Sequence, residues 1–177
     1  MWTDGTNFFE SHADIRYRAP QSLPAVITDE VLAGVGFAPV IVEPQPVFEV
    51  QRQVCERHKR PTLVNGAWHL GWTVRAMTSD EQALFQAKLQ KTIVDSVQAR
   101  LDGFAQTRGY DSILSLATYA TSAVSQFAAE GARGVALRDA TWAKASVILD
   151  EVSSGTRPLP SSYADIEPEL PPLTWPD

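Results

Sequence analysis

Residues 78–109, TSDEQALFQAKLQKTIVDSVQARLDGFAQTRG, decide the architecture. Thr78 and Glu81 have the spacing of a capping box, in which each side chain satisfies the other's backbone donor, so a helix starts here. Ala83, Ala87, Val94, Val97, Leu101 and Phe104 then recur at alternating three- and four-residue spacing, interrupted at Gln90. Arg108 and Gly109 supply a cation and a C′ glycine at the far end. At about 1.5 Å per residue such a helix is about 45 Å long, more than a compact domain of this size covers throughout. It must protrude or pair with another helix.

The pairing element lies downstream. Asp111 is placed to cap a second helical start at Ser112, and after a break near Thr121 and Ser122 the pattern resumes. Phe127, Gly131, Gly134, Arg138, Ala145, Leu149 and Val152 fit a second seam that ends at Gly155. Ala128, Ala129, Gly131, Ala132 and Gly134 permit close helix approach, although each mid-helix glycine costs about 1 kcal/mol relative to alanine. An antiparallel helical hairpin over 78–156 is the economical arrangement. Beyond it, Pro158, Pro160, Pro168, Pro171, Pro172 and Pro176 each remove a backbone donor, so 157–177 reads as an extended, proline-rich tail.

Upstream, residues 1–77 read as a β-rich module. Thr28 caps a short helix over Asp29–Ala33 that stops at Gly34 and Gly36, and Phe37–Val42 comes next as a buried strand. Phe48, Val50, Arg52 and Val54 alternate with polar residues, the period of a half-buried strand. Asn65-Gly66 is the preferred type I′ hairpin pair, and after this turn Trp68, Leu70, Trp72 and Val74 share one strand face. The expectation is therefore an α+β chain: a small antiparallel β-sheet module, a long antiparallel helical hairpin and the extended tail.

Composition bounds the function. The chain has 177 residues, enough for one domain or a small domain with an extension at roughly 100–200 residues per domain. Fifteen Lys plus Arg against 21 Asp plus Glu give a net charge of -6 and a pI near 5.0, the wrong sign for a general nucleic-acid binder. One cysteine, Cys55, cannot form an intrachain disulfide, so the fold must hold through burial and suits a reducing compartment. No run approaches the roughly 18 apolar residues of a membrane span, and Met1-Trp2-Thr3-Asp4 lacks the regions of a signal peptide; a soluble, unexported chain with no membrane partner is expected.

Groups able to do chemistry are sparse. His12, His58 and His69 are the histidines; Cys55 and His58 have C-x-x-H spacing, but zinc needs three or four ligands and no second pair is supplied. A Cys55 nucleophile would need His12 or His69 as base, and nothing positions either. Arg52, Arg57, His58, Lys59 and Arg60 form one basic cluster, read either as a patch for an acidic partner or phosphate or as the solvated end of a hairpin. The glycines lack the spacing of phosphate-cradling loops. Asp80 with Glu81, and Asp150 with Glu151, are adjacent helix positions and point to different faces. No catalytic residue, cofactor or metal is assigned. Trp68, Trp72 and Trp142 fit interior positions, whereas Trp2 and Trp175 near the ends must dock on the chain's own core or on another chain.

Several stretches carry a likeness. Asp14-Ile15-Arg16-Tyr17, Ser22-Leu23-Pro24, Leu32 to Phe37, Glu43-Pro44-Gln45-Pro46 and Gly66 to Val74 resemble small proteins encoded beside the tail-fibre genes of tailed bacteriophages. Arg108-Gly109-Tyr110-Asp111-Ser112, Tyr119-Ala120-Thr121-Ser122, Phe127, Glu130-Gly131, Arg138 to Trp142 and Pro171 to Pro176 look like a domain of phage tail and tail-fibre-associated proteins. The order of modules is similar to that of the tail-fibre assembly chaperones. The resemblance implies a non-enzymatic binder of phage tail-fibre protein, acting on the fibre's C-terminal region in the host cytoplasm during assembly. It also admits a structural component of tail, baseplate or fibre, retained in the virion. A small hydrolase using His69 or His58 is the third reading. For partner binding, the candidate residues are His69 on the exposed sheet face, Phe85 and Leu89 off the main seam of the long helix, and Leu173 and Trp175 in the tail.

Overall fold

The computed structural model describes residues 1–18 and 23–176; Ser22, one of the residues in the family likeness, lies outside them. The chain is an α+β protein, with small sheets first and long helices after. Its contacts separate a first unit, Met1–Gln82, from a second, Ala83–Asp177. Among the described residues no helix is long and apolar enough to cross a membrane.

The first unit contains β1 (Trp2–Thr3), β2 (Phe8–Phe9), α1 (His12–Arg18), α2 (Asp29–Gly34), β3 (Ala38–Val42), β4 (Gln53–Arg57), β5 (Thr62–Val64), β6 (Ala67–Leu70) and β7 (Trp72–Ala76). Thr28 caps α2 as expected, its hydroxyl accepting from the Val31 N–H at 3.3 Å. The Asn65-Gly66 turn is also as expected: both residues have positive φ, 50° and 84°, and Val64 pairs directly with Ala67.

The sheet itself is not a single antiparallel one. Five strands pair in the order β2-β1-β3-β6-β5, with β3 parallel to β6, while β4 and β7 form a separate antiparallel ribbon. The chain changes partner between consecutive residues: the Leu70 carbonyl accepts from Glu43 N–H (3.0 Å), and the Gly71 carbonyl accepts from His58 N–H (3.0 Å). The run from Trp68 to Val74 is thus divided between two sheets instead of forming one aromatic face. β4 also starts later than its alternation suggests, because Arg52 and Gln53 both donate to the Glu49 carbonyl and close a turn there. Trp2, Phe9, Ile15, Leu32 and Phe37 form this unit's core, with Phe9 and Phe37 edge to face at 5.5 Å.

In the second unit, α3 (Ser79–Gln106, its first turn in the first unit) begins at the capping box: Thr78 N–H donates to Glu81 Oε2 at 2.9 Å and Glu81 N–H to Thr78 Oγ1 at 3.3 Å. Gly109, at φ 83°, ends it. Then come α4 (Ile113–Thr118), a 3-10 turn at Tyr119–Thr121, and α5 (Ser125–Ser153). The cap of α4 is Ser112, whose hydroxyl accepts from Ser115 N–H, and not Asp111; Asp102 of α3 accepts from Ile113 N–H at 2.9 Å.

The two long helices are joined through α4 and the 3-10 turn and not by a simple loop. α3 and α5 run in opposite directions, since Leu101 and Phe104 cluster with Leu137 whereas Val97 clusters with Ile148. The close approach, however, belongs to α4 and the turn after it. A Cβ on Gly131 would come 2.2 Å from the Ala120 nitrogen, and one on Gly134 would come 2.7 Å from Leu116. The buried seam of α5 is accordingly Glu130, Gly131, Gly134, Leu137, Thr141 and Ile148, while Phe127 and Leu149, expected in it, are 40% and 42% exposed. The tail is not extended throughout. Tyr163–Asp165 and Glu167–Glu169 form 3-10 turns, and Ile166 and Leu170 fill the space beside Val97 and Ile148.

Candidate partner-binding groove

The N-terminal half of α3 and the C-terminal half of α5 leave an open groove of about 620 Å³. Leu89, Ile93 and Val94 of α3 face Leu149 and Val152 of α5, with Leu159, Pro160 and Ile166 closing one side. The polar groups in its wall are the uncharged Gln86, Gln90, Ser146 and Ser153. Of the lining residues Val97, Ile148 and Ile166 are buried, whereas Val94 remains 41% exposed. The volume falls in the range of about 300–1,000 Å³ that binding sites occupy, and the lining suits an apolar occupant.

Counting back from Val97 by fours gives Ile93, Leu89 and Phe85, so the apolar stripe of α3 runs through the two residues placed off the seam by the sequence pattern. Phe85 and Leu89 are half-buried, while Ala83 and Ala87, assigned to the seam, are exposed. Leu89 lines the groove, and Phe85 lies one turn before it on the same face.

Leu173 and Trp175 are elsewhere in the second unit, turned onto its own core of Leu101, Phe104, Ile113, Leu116 and Leu137. The Trp175 ring stacks on Phe104 with centroids 4.2 Å apart and gives its indole N–H to Thr107 Oγ1 at 3.1 Å. Of the two sequence readings of Trp175, packing on its own core is the one observed. Beside it a buried carboxylate knots the helices: Glu130 Oε2 accepts from Tyr110 Oη at 2.7 Å, and Oε1 accepts from Arg108 Nη1 at 2.5 Å and Gln126 Nε2 at 3.2 Å. The Tyr110 hydroxyl foremost, with Gln126 and Arg108, holds Glu130 below the usual carboxylate range, while burial and the facing carboxylate push Tyr110 up to about 12. Sequence reasoning missed this knot, because a glutamate among alanines and glycines looks like a solvated face until Arg108 and Tyr110, from the segment that follows α3, converge on it.

His69 belongs to the first unit, in β6, where its Nδ1 lies 2.5 Å from Glu43 Oε1 while the Trp72 indole donates to the Glu43 carbonyl at 2.9 Å. His58 bonds to Thr73 Oγ1 at 2.8 Å, and Cys55 sits opposite Val74 in the β4–β7 ladder. Among the described residues no three His, Cys, Asp or Glu side chains are grouped to hold a metal ion. Lys59 and Arg60 of the basic cluster line a polar depression with Asn7, Glu10, Asp14 and Arg18, where Asp14 and Arg18 already pair at 3.0 Å. No protein-family model, curated protein or solved structure matches the chain.

Proposed function

We propose that this chain is a non-enzymatic protein binder, a tail-fibre assembly chaperone of a tailed phage, that shields an apolar segment of the fibre protein in the groove between α3 and α5. The observation that carries the reading is that groove: an open apolar channel walled by two long helices, with Leu89 in its lining and uncharged polar groups along it. Trimeric fibres assemble through intermediates with exposed strand edges and apolar surface, and such intermediates aggregate unless covered. An amphipathic segment laid between two helices is a common way to cover them, because apolar side chains at one-turn intervals enter the groove while the opposite face stays in water. The family likeness of the sequence supplies the fibre as the partner.

Co-expression with the tail-fibre protein of the phage that carries this chain tests the proposal. Wild type is expected to raise the yield of soluble fibre trimer several-fold over fibre alone, and Leu89→Glu, which puts an unpaired charge in the groove, is expected to abolish the gain while the chain stays folded. Equal trimer yields with and without the chain would overturn it.

A further inference from the structure

Residues 171–176 sit on the second unit as a peptide sits in a binding slot, held by side chains and, among the described residues, by no strand ladder or helix bond. Arg100 donates from Nη2 to the Pro171 carbonyl at 2.8 Å. Arg133 donates from Nε to the Thr174 carbonyl at 2.9 Å and from Nη2 to Thr174 Oγ1 at 2.6 Å. Between these anchors Leu173 packs on the helical core. The Trp175 indole then enters an aromatic box: Phe104 stacked at 4.2 Å, Tyr110 at 6.4 Å, and the Arg108 guanidinium 4.5 Å from the ring centroid. Arg108 and Tyr110 are themselves held by buried Glu130, so this side of the box is anchored by a group outside the tail.

These are the parts that readers of extended peptides use. Main-chain carbonyls are gripped at two points, as they are in an extended ligand; one site walled by aromatic rings takes a large side chain, here half-buried; and prolines in the ligand lower the entropy lost on binding. A guanidinium over an indole adds cation–π attraction that a smaller side chain would forfeit. We propose that this slot is a recognition site for extended segments of the form Pro-Pro-x-x-Trp, that the tail is its resident ligand in cis, and that a segment of that chemistry from another protein chain displaces the tail. Leu170, buried beside Val97 and Ile148, anchors the tail five residues before Trp175. A tether that short gives an effective concentration of about millimolar or more, so the closed state dominates until a competing segment is supplied at comparable strength. The slot is distinct from the α3–α5 groove, and the proposal stands or falls without it.

The test uses the full chain and a fluorescein-labelled peptide of residues 171–177, PPLTWPD. Trp175→Ala, which vacates the box, is expected to bind the peptide saturably and at least tenfold more tightly than wild type does. The same peptide with alanine for tryptophan should not bind, and adding Arg133→Ala to the variant should weaken binding at least tenfold. Absence of saturable binding to a Trp175→Ala chain with wild-type circular dichroism would overturn the proposal, as would equal binding by wild type and variant. Hydrogen exchange of the Trp175 indole N–H in the unmodified chain decides independently of any substitution. Exchange through a local opening insensitive to low denaturant is expected, and exchange only through global unfolding would contradict a displaceable tail.

Discussion

Gly131 and Gly103 are both helical glycines, yet their surroundings assign them opposite roles. A side chain at Gly131 would meet the backbone of Ala120 at 2.2 Å, which cannot move aside without shifting the turn that carries it, whereas nothing lies within 4 Å of a Cβ at Gly103. Gly131→Ala should therefore destabilise the chain by about 1–3 kcal/mol through overpacking. Gly103→Ala should stabilise it by about 0.5–1 kcal/mol through helix propensity. Chemical denaturation of the two variants checks the pair, and shifts of the same sign would contradict the close approach of α4 to α5.

Charged residues set a pH window. Arg75 grips Glu81 through two bonds of 2.7 Å and, with the Thr78 backbone N–H, lowers Glu81 to about 2; Arg157, then Lys144, lowers Glu169 to about 2, and Glu130 is also lowered. Folded-state values below the ordinary 4.5 mean that these carboxylates contribute stability above that pH and lose it as pH falls towards 2. Tyr110 acts at the other end: raised from 10.0 to about 12, it contributes stability below pH 10 that is lost as pH rises through 12. Urea midpoints measured against pH should show both flanks, and Glu130→Gln should flatten the acid one. An acid flank unchanged in that variant would separate Glu130 from acid stability.

At the scale of elements, local chemistry was legible and long-range chemistry was not. The capping box at Thr78–Glu81, the Thr28 cap and the Asn65-Gly66 turn were readable because each is settled among residues within a few positions of one another. The division of the Trp68–Val74 run between two sheets was not, since it depends on Glu43 and His58 arriving from elsewhere to take the carbonyls of Leu70 and Gly71. The stripe of α3 lies one face away from the seam the pattern suggests, because Ala83 and Ala87 fit a heptad as well as Phe85 and Leu89 do, and only the position of α5 and the tail chooses between them. The cap of α4 shows the same division in miniature. Asp111 and Ser112 are both good N-cap residues, and the hydrogen bond from Ser115 N–H at 3.1 Å selects Ser112. Ser112→Ala should cost about 1 kcal/mol, whereas Asp111→Ala should change stability by less than about 0.5 kcal/mol. Thermal unfolding of the two single variants distinguishes them, and the reverse order would place the cap one residue earlier.

Over the whole molecule, the distribution of apolar surface is what links the fold to the proposed function. The core of the second unit is complete at one end, where α4 lies against α5 and Trp175 seals Phe104. Towards the other end the groove between the two long helices is lined from the tail by Leu159, Pro160 and Ile166 and stays open. Of the candidate contacts, Leu89 lies in that groove and Phe85 beside it; His69 is paired with Glu43 in the sheet, and Leu173 and Trp175 cover the chain's own core. Helical periodicity could indicate that Phe85 and Leu89 form a stripe, but not that α5 would leave it uncovered. Site-specific photocrosslinking during fibre assembly tests the central claim most directly, with p-benzoylphenylalanine placed at Leu89 and, as a control, at exposed Ala99 of the same helix. A covalent adduct with the fibre protein from position 89 and none from position 99 is the expected result. Adducts from both positions alike, or from neither, would contradict a partner held in the groove between α3 and α5.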